Sequence, residues 1–310
     1  MPTARSGPVT SVPGSSLQGF LAETRDAVNR ALEAWGARAE AEVGGAVGAA
    51  MRYGLAAPGK RFRPALAVAT YRELGGRGDP TELAAAIEVI HTYSLMHDDL
   101  PCMDDDDLRR GRPTAHRRFG VPAATEAAFR LVPLAARVLA AGARRLGVDR
   151  ETLAGMGAEL FRAAGASGMI GGQVLDLEAE GGTPPADALV RIHRLKTGAL
   201  IVASAAVGAV AANAPADRVA AVRRYAEEVG LAFQIVDDVL DATASSDELG
   251  KTPGKDVEQR KATYAAALGV DGAREAAAGH VARAVDQLGA SGIDSPLLAD
   301  LAQLALERRS

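Results

Sequence analysis

Six carboxylates, Asp98, Asp99, Asp104, Asp105, Asp106 and Asp107, fall within residues 98–107, and Arg109 and Arg110 follow at once. Carboxylates this close repel one another. Held in a folded cleft, they must be protonated, spread into water or neutralised by bound cations. The preceding residues 83–97, LAAAIEVIHTYSLMH, are largely apolar with helical character, so Asp98 and Asp99 end a buried helix and do not stand on a solvated tail. The fold must therefore bring that helix end to a cleft that cations can reach. An all-oxygen donor set suits a hard cation such as Mg²⁺, which takes one or two protein carboxylates and fills its shell with water and phosphate oxygens. The two arginines then read as phosphate forks. On this stretch alone, an acidic surface loop is the alternative.

The rest of the chain favours helices throughout. It is 310 residues long and 48% hydrophobic, ample for a sizeable core, but only 4% aromatic, and alanine and leucine abound. With no long alternating apolar-polar run and no convincing βαβ unit, the expected class is all-α. A net charge of −4 gives no basic footprint for nucleic acid. Cys102 is the single cysteine, which excludes an internal disulfide and is compatible with a reducing cytoplasm. Residues 1–16, rich in Pro, Ser, Gly and Thr, read as a disordered lead-in, leaving 17–310 as one domain. Residues 197–216 are uncharged but interrupted by Gly198, Ser204, Gly208, Asn213 and Pro215, which fits a buried central helix better than a membrane span.

Along the chain, residues 17–47 have the spacing of an outer amphipathic helix. Pro58-Gly59 marks a turn, after which Lys60, Arg61 and Arg63 gather at a helix N-terminus, where backbone N–H groups and the helix dipole also favour anions; three basic side chains there suit a diphosphate. Residues 120–147 and 151–166 read as helices. Gly171-Gly172 signals tight packing, with Gln173 and Asp176 on one helical face, and residues 186–196 form a short amphipathic helix ending at Lys196-Thr197. A second acidic cluster, Asp237, Asp238 and Asp241, follows an apolar run at 231–233. Asp237 and Asp241 share a helical face, so a compensating positive charge is needed. Lys251, Lys255 and Lys261 come soon after. Two acidic clusters, each ending a buried helix and each followed by basic residues, imply a cavity holding several Mg²⁺ ions and a diphosphate.

Five motifs, GKRFRP at 59–64, HDDLPCMDDDDLRRGRPT at 97–114, GGQVLD at 171–176, KTGAL at 196–200 and FQIVDDVLD at 233–241, resemble in order the signatures of the trans-isoprenyl diphosphate synthases (polyprenyl synthetases), especially bacterial farnesyl and geranylgeranyl diphosphate synthases. The resemblance implies an all-α, isoprenoid-synthase-type helical bundle around a deep central cavity, in a cytoplasmic homodimer. It implies that Asp98, Asp99, Asp104, Asp237, Asp238 and Asp241 hold three Mg²⁺ on an allylic diphosphate, with Arg109, Lys196, Lys251 and Lys261 around it. Isopentenyl diphosphate would be held at Gly59, Lys60, Arg63 and Arg110 near His91. Thr197 and Gln234 would position the allylic group, Gln173 and Asp176 would orient lysine and metal-bound water, and Tyr93, with the smaller Ser94 beside it, would set chain length. The implied reaction is condensation to a short all-trans product, farnesyl diphosphate ahead of geranylgeranyl diphosphate. A terpene cyclase of the same fold and a non-catalytic modulating subunit are the rivals; the second cationic site argues against the first and the intact aspartate motifs against the second. Two departures stand out. Ala127-Ala128-Phe129 replaces the family's usual Ala-Gly-Asp, and Ala265 replaces a proline after Tyr264.

Overall fold

The computed structural model describes residues 16–179, 186–243 and 264–307, and these are helical nearly throughout. In order the helices are α1 (Leu17–Val43), α2 (Gly45–Leu55), α3 (Phe62–Glu73), α4 (Thr81–Asp98), α5 (Ala115–Phe119), α6 (Val121–Leu146), α7 (Arg150–Ala164), α8 (Met169–Ala179) and α9 (Ala186–His193). A π-helical turn (Arg194–Gly198) leads into α10 (Ala199–Ala211); α11 (Ala216–Thr243), α12 (Tyr264–Ala290, kinked at Gly269) and α13 (Pro296–Leu306) complete the series. The all-α class holds. The expected lead-in at 1–16 and the candidates Lys251 and Lys261 lie, but for Ser16, outside the described residues.

Local chemistry sets the boundaries. Ser16, Asp149 and Ser295 accept hydrogen bonds from the backbone N–H groups of Gly19, Thr152 and Leu298, capping α1, α7 and α13. The helix expected over 17–47 is two: α1 stops at Val43, and α2 starts after a break at Gly44. Pro122 starts α6, while Pro133 is absorbed inside it.

The small-residue helix α10 occupies the centre against α3, α7 and α11. Ile201, Ala205, Ala206, Val207 and Ala209 are fully buried, because side chains this small let three neighbouring helices approach together. The apolar run Ala188–Ala211 is long enough by length and composition to cross a membrane, but most of it is buried inside the protein, as a core helix is. Elsewhere α4 packs along α6, and α11 along α12.

One element was not expected. Leu108–Arg109 and Arg112–Pro113 form a two-stranded antiparallel hairpin. Its turn residues, Arg110 and Gly111, have φ of 54° and 71°, the positive values that two-residue hairpin turns favour. The hairpin docks on the end of α2: the Tyr53 hydroxyl donates to the Pro113 carbonyl at 2.7 Å, and the Arg112 guanidinium stacks 4.1 Å from the Tyr53 ring.

Candidate active site

Each acidic cluster divides in the same way. Asp98 is the last residue of α4 and half-buried, as is Asp104, whereas Asp99 is buried. Arg109, from the hairpin, donates to Asp99 Oδ1 through Nε at 2.8 Å and through Nη2, and reaches Asp106 at 3.2 Å. Burial pushes the Asp99 carboxyl up to about 6, with Arg109 opposing and the neighbouring Asp106 and Asp98 charges adding to the rise. In the second cluster Asp237 is half-buried and Asp241 exposed near the end of α11, while Asp238 is buried. Asp238 accepts from Gln234 Nε2 at 3.0 Å and from the Tyr264 backbone N–H at 2.9 Å. Burial holds its carboxyl up at about 7 despite both hydrogen bonds. Carboxylates gathered at two helix ends, with Asp99 already paired to Arg109, fit a hard divalent cation, whose charge would favour their ionised form.

The second cluster is wired to the π-helical turn. The Thr197 hydroxyl donates to Gln234 Oε1 at 2.7 Å, continuing the line Thr197, Gln234, Asp238, Tyr264. Beside Thr197, Lys196 donates to Asp176 on α8 at 2.6 Å. A Cβ added at Gly172 would fall 2.2 Å from the Lys196 backbone nitrogen, so α8 lies directly on the π-helical turn and only glycine fits there. Gln173, on the same helix, is 5% exposed, and its amide makes no hydrogen bond among the described residues. A buried amide in that state is poised for a ligand or water.

The cationic group gathers where α3, α4 and the hairpin meet. Lys60 is exposed, and Arg63 lies half-buried with its guanidinium 5.8 Å from the Phe233 ring of α11, one turn before Asp237. Arg110 donates to the Pro58 carbonyl, and a Cβ at Gly59 would fall 2.6 Å from its Nη1. The pKa of His91 is kept well below its ordinary value by burial and by Arg63, Arg110, Arg61 and Arg109 around it. Arg61 corrects the sequence reading of three basic side chains at this helix end. With φ of 55° it turns inward, pairs with buried Glu88, and donates to Asn29 Oδ1 at 2.8 Å and the Ala57 carbonyl at 2.6 Å. Its role is to hold the loop; removing one partner of such a buried pair costs about 3–5 kcal/mol.

Tyr93 is buried in α4, its ring centroid 5.9 Å from that of His97, which in turn lies 6.4 Å from Phe129 of α6. The Ser94 hydroxyl donates back to the His91 carbonyl at 2.8 Å. From the sequence His116 reads as a structural or solvated histidine, but a ring nitrogen of it lies within 4.8 Å of carboxylate oxygens of Asp105 and Asp107, a group able to hold a metal ion. Eight residues, the hairpin among them, separate His116 from Asp107, so no local spacing signals the contact.

The profile of the polyprenyl synthetase family matches residues 46–289. Farnesyl diphosphate synthase of Escherichia coli is 44% identical over 263 residues, covering 83% of this chain and 88% of the relative. Farnesyl diphosphate synthase of Geobacillus stearothermophilus is 40% identical, covering 94% and 98%. Among solved structures, an FPP/GFPP synthase from Zymomonas mobilis superposes with a TM-score of 0.79 at 32% identity, covering 93% of this chain and 98% of that one. A geranyltransferase from Helicobacter pylori complexed with magnesium and isoprenyl diphosphate gives 0.77 at 27% identity, covering 97% and 98%. With the motifs, the helical bundle and these likenesses in agreement, the chain belongs to the polyprenyl synthetase family.

Proposed function

We infer that this chain is a prenyltransferase that condenses isopentenyl diphosphate with an allylic diphosphate into a short all-trans prenyl diphosphate, farnesyl diphosphate first and geranylgeranyl diphosphate second. The observation that carries the reading is the presence of two helix-end carboxylate clusters together with a separate arginine group around His91. One diphosphate needs metal because it must leave; the other needs only cations because it stays.

Mg²⁺, three ions as the family resemblance implies, would when bound neutralise the charge that grows on the departing diphosphate. Asp98, Asp104, Asp237 and Asp241 are the more open carboxylates and would make the outer contacts, with Asp99 and Asp238 completing the set from inside. Lys196 and Arg109 would hold the same diphosphate, a role the family resemblance also implies for Lys251 and Lys261. Lys60, Arg63 and Arg110 hold isopentenyl diphosphate beside Gly59 and His91. Thr197 and Gln234 position the allylic group, and Asp176 and Gln173 fix Lys196 and its surroundings. The double bond of isopentenyl diphosphate attacks the allylic cation, a carbon–carbon bond forms, and a proton passes to the departed diphosphate. Apolar walls keep out water that would quench the cation. The enzyme works as a cytoplasmic homodimer; α6, with Phe129 53% exposed, offers an apolar face for pairing.

The test incubates purified protein and Mg²⁺ with isopentenyl diphosphate and each of the C5, C10 and C15 allylic diphosphates, with products identified by mass. Linear C15 from the C5 and C10 primers is expected. A cyclised hydrocarbon formed without isopentenyl diphosphate would replace this reading with a terpene cyclase.

A further inference from the structure

Immediately after Asp104, three potential ligand atoms converge: a carboxylate oxygen each of Asp105 and Asp107, and an imidazole nitrogen of His116, all within 4.8 Å of one another. The two carboxylates are exposed and alone would be an ordinary acidic surface. His116 changes that. It is 5% exposed at the start of α5, and its Nδ1 is paired with the Thr114 hydroxyl at 3.1 Å. Its Nε2 is buried, makes no hydrogen bond among the described residues, and lies 3.9 Å from Asp105 Oδ1. A buried ring nitrogen left without a partner is costly. In the tautomer whose Nδ1–H donates to the Thr114 hydroxyl, Nε2 carries the ring's lone pair and presents it in one direction, as metal-binding histidines do.

We propose that Asp105, Asp107 and His116 form a second metal site, distinct from the carboxylates assigned to Mg²⁺, for a divalent transition ion of the Zn²⁺ class. The donor set makes the choice of ion. Mg²⁺ favours oxygen alone, whereas one imidazole nitrogen with carboxylate oxygens suits zinc and its neighbours. Metal–ligand bonds of about 2.0–2.2 Å put tetrahedral ligand atoms roughly 3.4 Å apart, so the group must close by somewhat more than 1 Å. Exposed carboxylates can do so by side-chain rotation. Asp107 is also paired with Arg117, but that pair is exposed on both sides and holds the carboxylate only weakly. The bound ion ties the acidic loop to α5 across the hairpin, and thereby steadies the chain next to Asp104.

The test uses the full chain, stripped of metal and then equilibrated with Zn²⁺ in excess Mg²⁺, which occupies the Mg²⁺-binding carboxylates. Wild type should bind one Zn²⁺ more per chain than the double variant Asp105→Asn/Asp107→Asn, whose exposed changes leave the fold intact by thermal melting. X-ray absorption at the zinc edge should show an imidazole ligand, lost in His116→Gln together with at least about tenfold in Zn²⁺ affinity. Equal stoichiometry and affinity in wild type and the double variant would overturn the site, as would an imidazole signal that survives in His116→Gln.

Discussion

Replacing Tyr93 by alanine should lengthen the product. Tyr93 precedes Asp98 by five residues on one continuous helix, which sets it about 7 Å along the axis from the first acidic cluster. The residue is 4% exposed and braced by His97, with Phe129 behind, and on the proposed reaction it would act as a floor under a chain growing away from its diphosphate. Ser94 cannot substitute for it, being small and bonded to its own helix. Tyr93→Ala should shift the product toward C20 or longer, with the rate per condensation changing less than the length distribution. The same truncation costs about 3–5 kcal/mol, as large aromatic deletions do. With an unfolding entropy of about 2.1 cal/mol/K per residue over 310 residues, that corresponds to a Tm lower by roughly 5–8 °C. Tyr93→Phe keeps the ring and should leave product length unchanged. The assay is product analysis by mass beside thermal melting of all three proteins. A destabilised Tyr93→Ala protein with an unaltered product spectrum would refute the floor and move the determinant to Phe129 or another residue.

Asp98→Asn and Asp237→Asn should each lower turnover by orders of magnitude while circular dichroism stays native, because an ion is lost where transition-state charge develops; near-normal kcat in both would remove the metal clamp. Lys60→Ala and Arg63→Ala should chiefly raise KM for isopentenyl diphosphate, and an effect confined to the allylic substrate would reverse the two assignments. His193 is buried, with its pKa held down at about 4 by burial, Lys196 adding to and Asp176 opposing the shift. Because the folded pKa lies below the unfolded value near 6.5, the native state is favoured above that value and loses about 3 kcal/mol as the pH falls to about 4. His193→Phe should flatten this part of the stability–pH curve in denaturant titrations, and a curve of unchanged steepness would contradict the burial argument.

What the sequence could convey depended on range. The helical class follows from local composition, and both acidic clusters are visible because their carboxylates are neighbours in the chain. Arg61 is different: nothing in GKRFRP says that one of its three cations turns inward, since the partner, Glu88, lies 27 residues on. The hairpin escaped notice because two-residue strands are too short to alternate. The inner and outer members of each aspartate motif are likewise sorted by distant groups, Arg109 for Asp99 and Tyr264 for Asp238. Lys251 and Lys261, legible as cations from sequence, fall outside the described residues.

The π-helical turn at Arg194–Gly198 carries a consequence for how this segment can change. A π-helical turn amounts to one residue inserted into an α-helix. Here it separates α9 from α10, and it sits directly against the α8 backbone at Gly172. Removing a single residue from 194–198 would restore an ordinary α-helix and rotate everything before it by about 100° relative to α10. Lys196 would swing away from Asp176, and α9 would present a different face to its neighbours. Point substitutions can be absorbed one side chain at a time, whereas a one-residue change in the length of this segment would displace Lys196 and Thr197 from Asp176 and Gln234 together.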